Sequence, residues 1–328
     1  MMRIIAEVGS VHDGSFGNAL KLIEVAAQSG ADTVKFQTHI AEAESLADAP
    51  APAYFRDEPR LAYFRRTAFS EQQWRRLAEH AKSQGLGFLS SPFSLEAVEL
   101  LENVGVTAYK IPSGEVTNIP LLERVAETGK PVLLSSGMSN WQELDAAVAA
   151  LKGSGSLTVM QCSSIYPCPP ERVGLNVLGE LQGRYGGSVG YSDHTLGIAA
   201  PLAAAACGAS VIEKHFTFSK LMYGSDAKHS MEPDEFRVMA TALREIWNML
   251  GNRVDKDDLA PYLEMKRIFE KSIVTAATIP AGARIERNML AFKKPGDGIP
   301  AATYKTLIGR TVKRNLPPDH KLQEEDLS

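Results

Sequence analysis

Two histidines follow consecutive strand-like segments of the chain. His194 comes just after the apolar run at 188–191, and His215 ends the next run at 211–215. Adjacent strands of a parallel barrel bring their carboxyl ends within ligand distance, so two imidazoles placed there can share one divalent metal ion. Two rim histidines satisfied by protein groups would give the same pattern. Asp193 is then either a hydrogen-bond partner in a metal site or the cap of the following helix.

Two lysines, Lys35 and Lys110, also end apolar strand-like segments. A freely solvated ammonium is unusual at such a position, so each lysine predicts either an anion site or a Schiff-base nucleophile. Neighbouring strand ends carry hydroxyls that can donate to a phosphate: Ser90, Ser91, Ser94, Ser113, Ser135 and Ser136. A serine there can instead cap the next helix, which is the better interpretation for Ser94. Their coincidence on one rim favours the anion site.

Three carboxylates, Glu7, Glu115 and Asp226, follow or interrupt apolar runs. Such groups suit the binding of substrate hydroxyls and the transfer of protons, but exposed rim carboxylates would look the same in sequence. An aromatic and basic stretch at 54–66 follows the second strand-like run. It predicts either a lid over the site or a helix packed on the rim.

Eight short apolar runs alternate with amphipathic segments and must position these side chains. The predicted strands are 3–8, 33–36, 87–89, 108–111, 132–135, 158–161, 188–191 and 211–215. The segment 233–250 is the clearest helix, with Pro233 at its first position and apolar residues at spacings of three and four. Eight βα units in roughly 250 residues predict a TIM (β/α)8 barrel. A doubly wound sheet would need a glycine-rich phosphate turn, and 7–14 lacks that spacing.

The chain changes character near residue 255. We predict a barrel domain at 1–255, a linker at 256–268 and a small domain at 269–328, which contains an internal repeat relating 279–290 to 316–327. We expect so small a domain to be stabilised by packing against the barrel or against another subunit.

Composition excludes several classes of function. The 35 basic and 39 acidic residues give a formal net charge of −4, which argues against a nucleic-acid partner. The apolar run after Arg3 is too short for an export signal, and the run 196–212 is slightly short for a membrane span. Three cysteines without metal or disulfide spacing favour a reducing compartment. We therefore expect a cytoplasmic protein without a membrane partner.

Eight ordered motifs carry a family resemblance that covers nearly the whole chain. They lie at 6–14, 34–39, 91–94, 109–115, 136–138, 161–167, 191–195 and 213–217. Together they resemble the sialic acid (N-acetylneuraminate) synthase family, which includes legionaminic acid, pseudaminic acid and spore coat polysaccharide synthases. The segments 294–298 and 307–310 are similar to the C-terminal SAF (antifreeze-like) domain of that family.

The resemblance implies a TIM barrel followed by a β-clip SAF domain, in a domain-swapped homodimer. It implies a transferase that condenses phosphoenolpyruvate with an N-acylhexosamine, such as N-acetylmannosamine, to give a nonulosonic acid and phosphate. By resemblance His194 and His215 hold a divalent metal ion, usually Mn²⁺, with Mg²⁺ or Co²⁺ as alternatives. The residues implied at phosphoenolpyruvate are Lys35, Ser91, Lys110, Ser113, Ser164 and Ser192. Those implied at the sugar are Glu7, Gln37, Glu115, Tyr166 and Asp226, with Lys294 from the neighbouring subunit; Glu7, Glu115 and Lys110 are the expected catalytic residues.

Three residues depart from the family pattern. Val11 stands where asparagine is common, Ser164 stands where a member of the family can have asparagine, and Lys294 stands where an arginine usually recognises the acylamino group. A lysine cannot reproduce a planar bidentate fork, so the identity of the sugar stays open. Two other functions are weighed against this one: a Schiff-base aldolase using Lys35, Lys110 or Lys214, and a non-catalytic sugar-binding protein.

Overall fold

The computed structural model describes residues 2–50 and 57–328, which divide into two compact units on either side of the Asn252–Arg253 bond. The first unit is a near-closed barrel of eight parallel strands in the order β3-β2-β1-β8-β7-β6-β5-β4. The strands are β1 (Arg3–Gly9), β2 (Thr33–Thr38), β3 (Gly87–Pro92), β4 (Tyr109–Ile111), β5 (Val132–Ser135), β6 (Leu157–Cys162), β7 (Val189–Asp193) and β8 (Val211–His215). The predicted TIM barrel is confirmed.

Helices follow the strands and cover the outside of the barrel. They are α1 (Phe16–Gln28), α2 (Ala41–Glu44), α3 (Arg60–Thr67), α4 (Glu71–Ser83), α5 (Leu95–Val104), α6 (Ile119–Glu127), α7 (Trp141–Ala150), α8 (Asn176–Tyr185), α9 (Ala199–Ala206) and α10 (Pro233–Gly251). Side-chain caps start several of them; Ser94 accepts from the backbone N–H of Ala97 at 3.1 Å, as predicted for that residue. None of the described helices combines the length and the apolar character needed to cross a bilayer.

The alternation of side chains along the strands divides the barrel into an apolar floor and a polar layer above it. The floor consists of Ile5, Leu89, Ala108, Leu133, Met160 and Val211. Side chains two positions apart on a strand share a face, so the residue two positions after each floor residue also faces the interior, and in all six cases it is polar or a cysteine. Those residues are Glu7, Ser91, Lys110, Ser135, Cys162 and Glu213. The intervening residues, such as Ala6 and Ile212, belong to the core between strands and helices.

The second unit, Arg253–Ser328, has its own small core. Two strands, β9 (Ser272–Thr275) and β10 (Leu290–Lys293), pair antiparallel. The two copies of the predicted repeat meet at an antiparallel bridge between Ile279 and Leu316, and each ends in a 3₁₀ turn, Arg287–Met289 or Glu324–Asp326. The predicted linker contains a short helix, α11 (Leu263–Phe269).

The apolar floor generates a stability prediction. The side chain of Ile5 is fully buried in it, so Ile5→Ala leaves a cavity and should lower the free energy of unfolding by about 2–5 kcal/mol. Urea denaturation followed by circular dichroism measures this change. The control is Val238→Ala on α10, whose side chain is exposed and whose effect should stay within about 0.5 kcal/mol. Equal effects of the two substitutions would contradict the assignment of the floor.

Candidate active site

A cavity of about 530 Å³ opens above the polar layer, at the carboxyl ends of the strands. This is the end of a TIM barrel at which chemistry is done. Strand ends and the loops that follow them supply the lining, together with Tyr63 and Phe64 from α3. The cavity therefore collects groups that are far apart in sequence on one rigid scaffold.

Four buried charges form the base of this cavity. Nζ of Lys35 lies 2.8 Å from Oε1 of Glu7 and 3.8 Å from Oε1 of Glu213. Nζ of Lys110 lies 3.1 Å from the same oxygen of Glu213. Each of the four residues is at most 5% exposed. We call Glu7, Lys35, Lys110 and Glu213 the four-charge cluster.

The pKa values in the cluster follow from burial and mutual attraction. Burial alone would raise the pKa of Glu213, but the ammonium groups of Lys110 and Lys35 outweigh it and hold that pKa at about 2. Burial would lower the pKa of Lys35, but Glu213 and Glu7 reverse the effect and raise it. Burial raises the pKa of Glu7, with Lys35 opposing the effect. Lys35 is therefore held in its charged form.

Hydroxyl groups surround the cluster on the side of β3 to β7. Lys35 donates to Oγ of Ser91 at 3.3 Å, and Ser192 donates to Oε1 of Glu213 at 3.2 Å. Oγ of Ser135 is buried without a hydrogen-bond partner among the described residues. An orphaned hydroxyl that lines the same cavity as two ammonium groups suits a bound anion.

Gly137 allows a second pair of hydroxyls to converge. A Cβ at this position would lie 2.5 Å from Oγ of Ser164 and 2.7 Å from Oγ of Ser113. The backbone N–H of Gly137 donates to Oγ of Ser113 at 2.9 Å. Only glycine leaves room for this arrangement, which brings two of the predicted anion-binding serines to one wall of the cavity.

His194 and His215 lie side by side in the lining, with ring centroids 5.5 Å apart. Nδ1 of His194 donates to the carbonyl oxygen of Ser163 at 2.7 Å, so Nε2 is the ring nitrogen that can face a metal ion. Burial would lower the pKa of His194, but Cys162 and this carbonyl outweigh it and raise that pKa, so a metal ion would have to displace a proton. Burial lowers the pKa of His215 to about 4, so its imidazole is neutral. Nδ1 of His215 is buried without a hydrogen-bond partner among the described residues. Tyr166 packs against His194, with ring centroids 4.1 Å apart.

These two imidazoles fit a divalent cation that takes its remaining ligands from substrate or water. One ring is oriented by a backbone carbonyl and the other has an orphaned nitrogen, so each can offer one unprotonated nitrogen to such an ion. Within the described chain, no set of three His, Cys, Asp or Glu residues is arranged as a metal site.

The part of the cavity wall next to β1 carries Gln37 and Asp226. Nε2 of Gln37 donates to Oε1 of Glu7 at 2.8 Å. Gly9 has a positive φ of 53°, and a Cβ there would lie 2.7 Å from Oδ2 of Asp226. Glycine at this position therefore lets the Asp226 carboxylate approach the end of β1.

Most of the predicted site residues line this one cavity: Glu7, Lys35, Gln37, Lys110, Ser113, Ser164, Tyr166, Ser192, His194, His215 and Asp226. Ser91 contacts the cluster through Lys35. Glu115 lies outside the lining, where its Oε2 accepts from Asn118 at 2.8 Å. Lys294 belongs to the second unit, where its Nζ lies 4.7 Å from the ring centroid of Phe269.

The structure gives Asp193 a role that differs from both predicted alternatives. Its carboxylate accepts from Lys214, Thr195 and Tyr191, while α9 begins only at Ala199. Asp193 therefore does not cap a helix; its carboxylate forms an ion pair with the ammonium of Lys214. Lys214 lies outside the cavity lining. Of the predicted lid, residues 54–56 lie outside the described residues.

Sequence reasoning did not name Glu213, His39 or Phe93 as site residues, although all three line the cavity; Arg60 and Phe64, which also line it, belong to the stretch 54–66 predicted as a lid or a rim helix. A signal for Glu213 existed, because it precedes His215 by two residues on one strand and so shares its face. No comparable signal marks His39 and Phe93, since they lie in the loops that follow β2 and β3.

Comparisons with known proteins agree over the full length. A model of the NeuB family matches residues 22–255, and a SAF domain model matches residues 270–328. The chain is 39% identical over 332 residues to an N,N'-diacetyllegionaminic acid synthase of Campylobacter jejuni, covering 98% of each protein. It is 33% identical to the N-acetylneuraminate-9-phosphate synthase of Homo sapiens, covering 98% of this chain and 91% of the human protein. The solved structure of an N-acetylneuraminic acid synthetase from Leptospira borgpetersenii is 30% identical, with a TM-score of 0.73 over 81% of this chain and 91% of that one.

The four-charge cluster generates a prediction. Glu213→Gln keeps the shape of the side chain but leaves two buried ammonium groups with one carboxylate, so the free energy of unfolding should fall by about 3 kcal/mol. Urea denaturation measures the fall. The matched control is Glu79→Gln on α4, whose side chain is exposed and whose effect should be within about 0.5 kcal/mol. A stability unchanged by Glu213→Gln would mean that the cluster is not electrostatically coupled.

Proposed function

The chain belongs to the NeuB family, with a SAF domain at residues 270–328, and is a sialic acid synthase-like enzyme; we propose that it condenses phosphoenolpyruvate with an N-acylhexosamine in a metal-dependent reaction. The products are a nonulosonic acid and phosphate. The observation that carries the proposal is the four-charge cluster beside the paired imidazoles of His194 and His215 in one cavity.

Lys35 and Lys110 are the proposed binding groups for phosphoenolpyruvate. An ammonium has three N–H donors, and Lys110 uses one of them on Glu213, which leaves donors for an anion. Ser113, Ser135 and Ser164 add neutral donors around the same volume. These groups would hold the phosphate and the carboxylate, so that C3 of the enol faces the sugar aldehyde.

In the proposed reaction, C3 of phosphoenolpyruvate forms a bond to the aldehyde carbon, and the aldehyde oxygen takes up a proton. Water adds at C2, and the C–O bond to phosphate then breaks to leave a ketone. Oε2 of Glu7 is buried without a hydrogen-bond partner among the described residues, so it can accept from that water or from a sugar hydroxyl. The chemistry that a divalent ion held by His194 and His215 supplies is polarisation of the aldehyde oxygen.

The proposed sugar site lies between Gln37, Tyr166 and Asp226, which offer an amide, an aromatic face and a carboxylate. The 39% identity to an N,N'-diacetyllegionaminic acid synthase makes a diacetylated hexosamine the first substrate to test, ahead of N-acetylmannosamine. We further propose that the enzyme is a cytoplasmic homodimer and uses Mn²⁺. In that dimer, Lys294 would reach the sugar from the neighbouring subunit.

The Schiff-base alternative is disfavoured by the surroundings of the lysines. A Schiff base forms from a neutral amine. Lys35 is kept charged by Glu7 and Glu213, Lys110 is paired with the carboxylate of Glu213 at 3.1 Å, and Lys214 is bound by Asp193 outside the cavity. Treatment with borohydride in the presence of pyruvate should therefore leave the mass of the protein unchanged.

Phosphate release tests the proposal directly. The purified protein should release phosphate from phosphoenolpyruvate only when Mn²⁺ and an accepted N-acylhexosamine are both present, and chelation should abolish the release. His215→Ala should lower the rate by at least about 100-fold because a proposed metal ligand is lost, while the thermal unfolding midpoint remains measurable. Full activity of His215→Ala would overturn the metal assignment.

Lys294 generates a separate prediction. Lys294→Ala should raise the KM for the sugar about tenfold, as one charged hydrogen bond is lost, and leave the KM for phosphoenolpyruvate unchanged. The matched control is Lys293→Ala, since the neighbouring Lys293 is paired with Asp319 within the second unit. An unchanged sugar KM in Lys294→Ala would exclude Lys294 from the sugar site.

A further inference from the structure

The imidazole of His39 is held in one plane in the cavity lining, next to Gln37 of the proposed sugar site. His39 follows β2, and its ring is stacked between Phe64 of α3 and Phe93, which follows β3. The ring centroids lie 3.9 Å and 4.2 Å from that of His39, with interplanar angles of 9° and 21°. The side chain of His39 is 7% exposed. A ring held on both faces can form hydrogen bonds only along its edge.

Both nitrogens on that edge have partners. Nδ1 of His39 lies 2.8 Å and 3.1 Å from the two carboxylate oxygens of Glu44, whose side chain is 3% exposed. Nε2 lies 3.2 Å from Oε1 of Gln37. The other end of the same amide donates from Nε2 to Oε1 of Glu7 at 2.8 Å. A continuous chain of hydrogen bonds thus runs from Glu44 through His39 and Gln37 to Glu7 in the four-charge cluster.

The direction of each hydrogen bond in this chain is determined by its ends. The Glu7 oxygen also receives the ammonium of Lys35, so it acts as an acceptor and requires the NH₂ group of Gln37 to face it. The carbonyl oxygen of Gln37 then faces His39 and requires a donor at Nε2. Glu44 is a carboxylate and requires a donor at Nδ1. This set of partners calls for a donor at each nitrogen of His39, with the carboxylate of Glu44 balancing the charge of the ring.

Without that arrangement the amide of Gln37 would lose its preferred orientation. The two ends of an amide are nearly the same size, so only hydrogen-bond partners distinguish one orientation from the reverse. A neutral His39 with its single proton on Nδ1 would present a lone pair to the carbonyl oxygen of Gln37. Reversal of the amide would relieve that contact but would place the carbonyl oxygen against the carboxylate of Glu7.

We propose that His39 and Glu44 are positioning residues that hold the amide of Gln37, and through it the carboxylate of Glu7, in the orientation used for the sugar and for water. This inference rests on the proposed function. Neither residue needs to touch the substrate to act in this way. Phe64 and Phe93 contribute by preventing the ring from turning away from Gln37.

The test compares three substitutions in the full-length enzyme. Glu44→Gln keeps the size of the side chain but allows His39 to lose one proton, so kcat should fall about tenfold or more as Gln37 and Glu7 lose their alignment. His39→Asn keeps a donor near Nδ1 but loses the contact with Gln37 and should be impaired at least as much. His39→Gln can restore a donor to Gln37 and should recover part of the activity. The KM for phosphoenolpyruvate should change less than about twofold, because its proposed ligands are untouched.

The matched control is Glu24→Gln, which removes a carboxylate from another histidine pair, Glu24 with His80, on the outer helices α1 and α4. It should leave kcat unchanged. If the unsubstituted enzyme releases phosphate and Glu44→Gln retains its kcat and sugar KM, the positioning role is wrong while the proposed function stands. If the unsubstituted enzyme releases no phosphate with any of the N-acylhexosamines tested, the proposed function itself fails.

A spectroscopic measurement tests the hydrogen-bond assignment independently of activity. In protein labelled with nitrogen-15 in histidine, the resonances absent from His39→Asn identify His39. Both ring nitrogens should have the chemical shifts of protonated nitrogen at neutral pH, and Glu44→Gln should convert one of them to the unprotonated type. A neutral ring in the unsubstituted protein would overturn the proposal.

Discussion

The burial of two ammonium groups and two carboxylates at the centre of the barrel is the constraint on which the rest of the site depends. Moving four charges out of water costs many kcal/mol, and the cost is offset only where each charge has a close partner of opposite sign. Oε1 of Glu213 is the close partner of both lysines, and Glu7 is a second partner of Lys35. The apolar floor closes the lower side of the cluster, so the remaining N–H donors and the orphaned oxygens can bind a ligand only from the cavity above.

The positions of the catalytic candidates could be predicted from the sequence because strand ends are local features. An apolar run that ends in Lys35, Lys110 or His215 places that residue at the carboxyl end of a strand, and a parallel barrel collects all such ends on one face. The eight-strand pattern thus predicted the fold and brought the lysines and histidines to one cavity, whereas Gln37, Ser164, Tyr166 and Ser192 were expected only from the family resemblance. The strand boundaries were less predictable: β2 and β3 extend to Thr38 and Pro92, because the pairing continues through polar residues that interrupt the apolar run.

What could not be predicted depends on partners that come from elsewhere in the chain. Asp193 was expected to serve the histidines or a helix, yet it binds Lys214 on the neighbouring strand, a pairing that only the register of β7 and β8 reveals. The stacking of His39 requires Phe64 from α3 and Phe93 from the loop after β3. Glu115 has the right residue type and follows a strand, but its carboxylate turns to Asn118 instead of lining the cavity.

The charge of the cavity supports the proposed metal ion on grounds independent of the two histidines. Among the described residues, the lining has three cations, Lys35, Arg60 and Lys110, and four carboxylates, Glu7, Glu58, Glu213 and Asp226. With His194 and His215 in the neutral form that binds a metal ion, and with the charge of His39 balanced by Glu44, the formal charge is therefore one negative. Phosphoenolpyruvate is itself a multiply charged anion, and an acidic pocket would repel it. A divalent cation between His194 and His215 would reverse the sign of the field, so the same ion that activates the aldehyde would also make the cavity able to hold the enol phosphate.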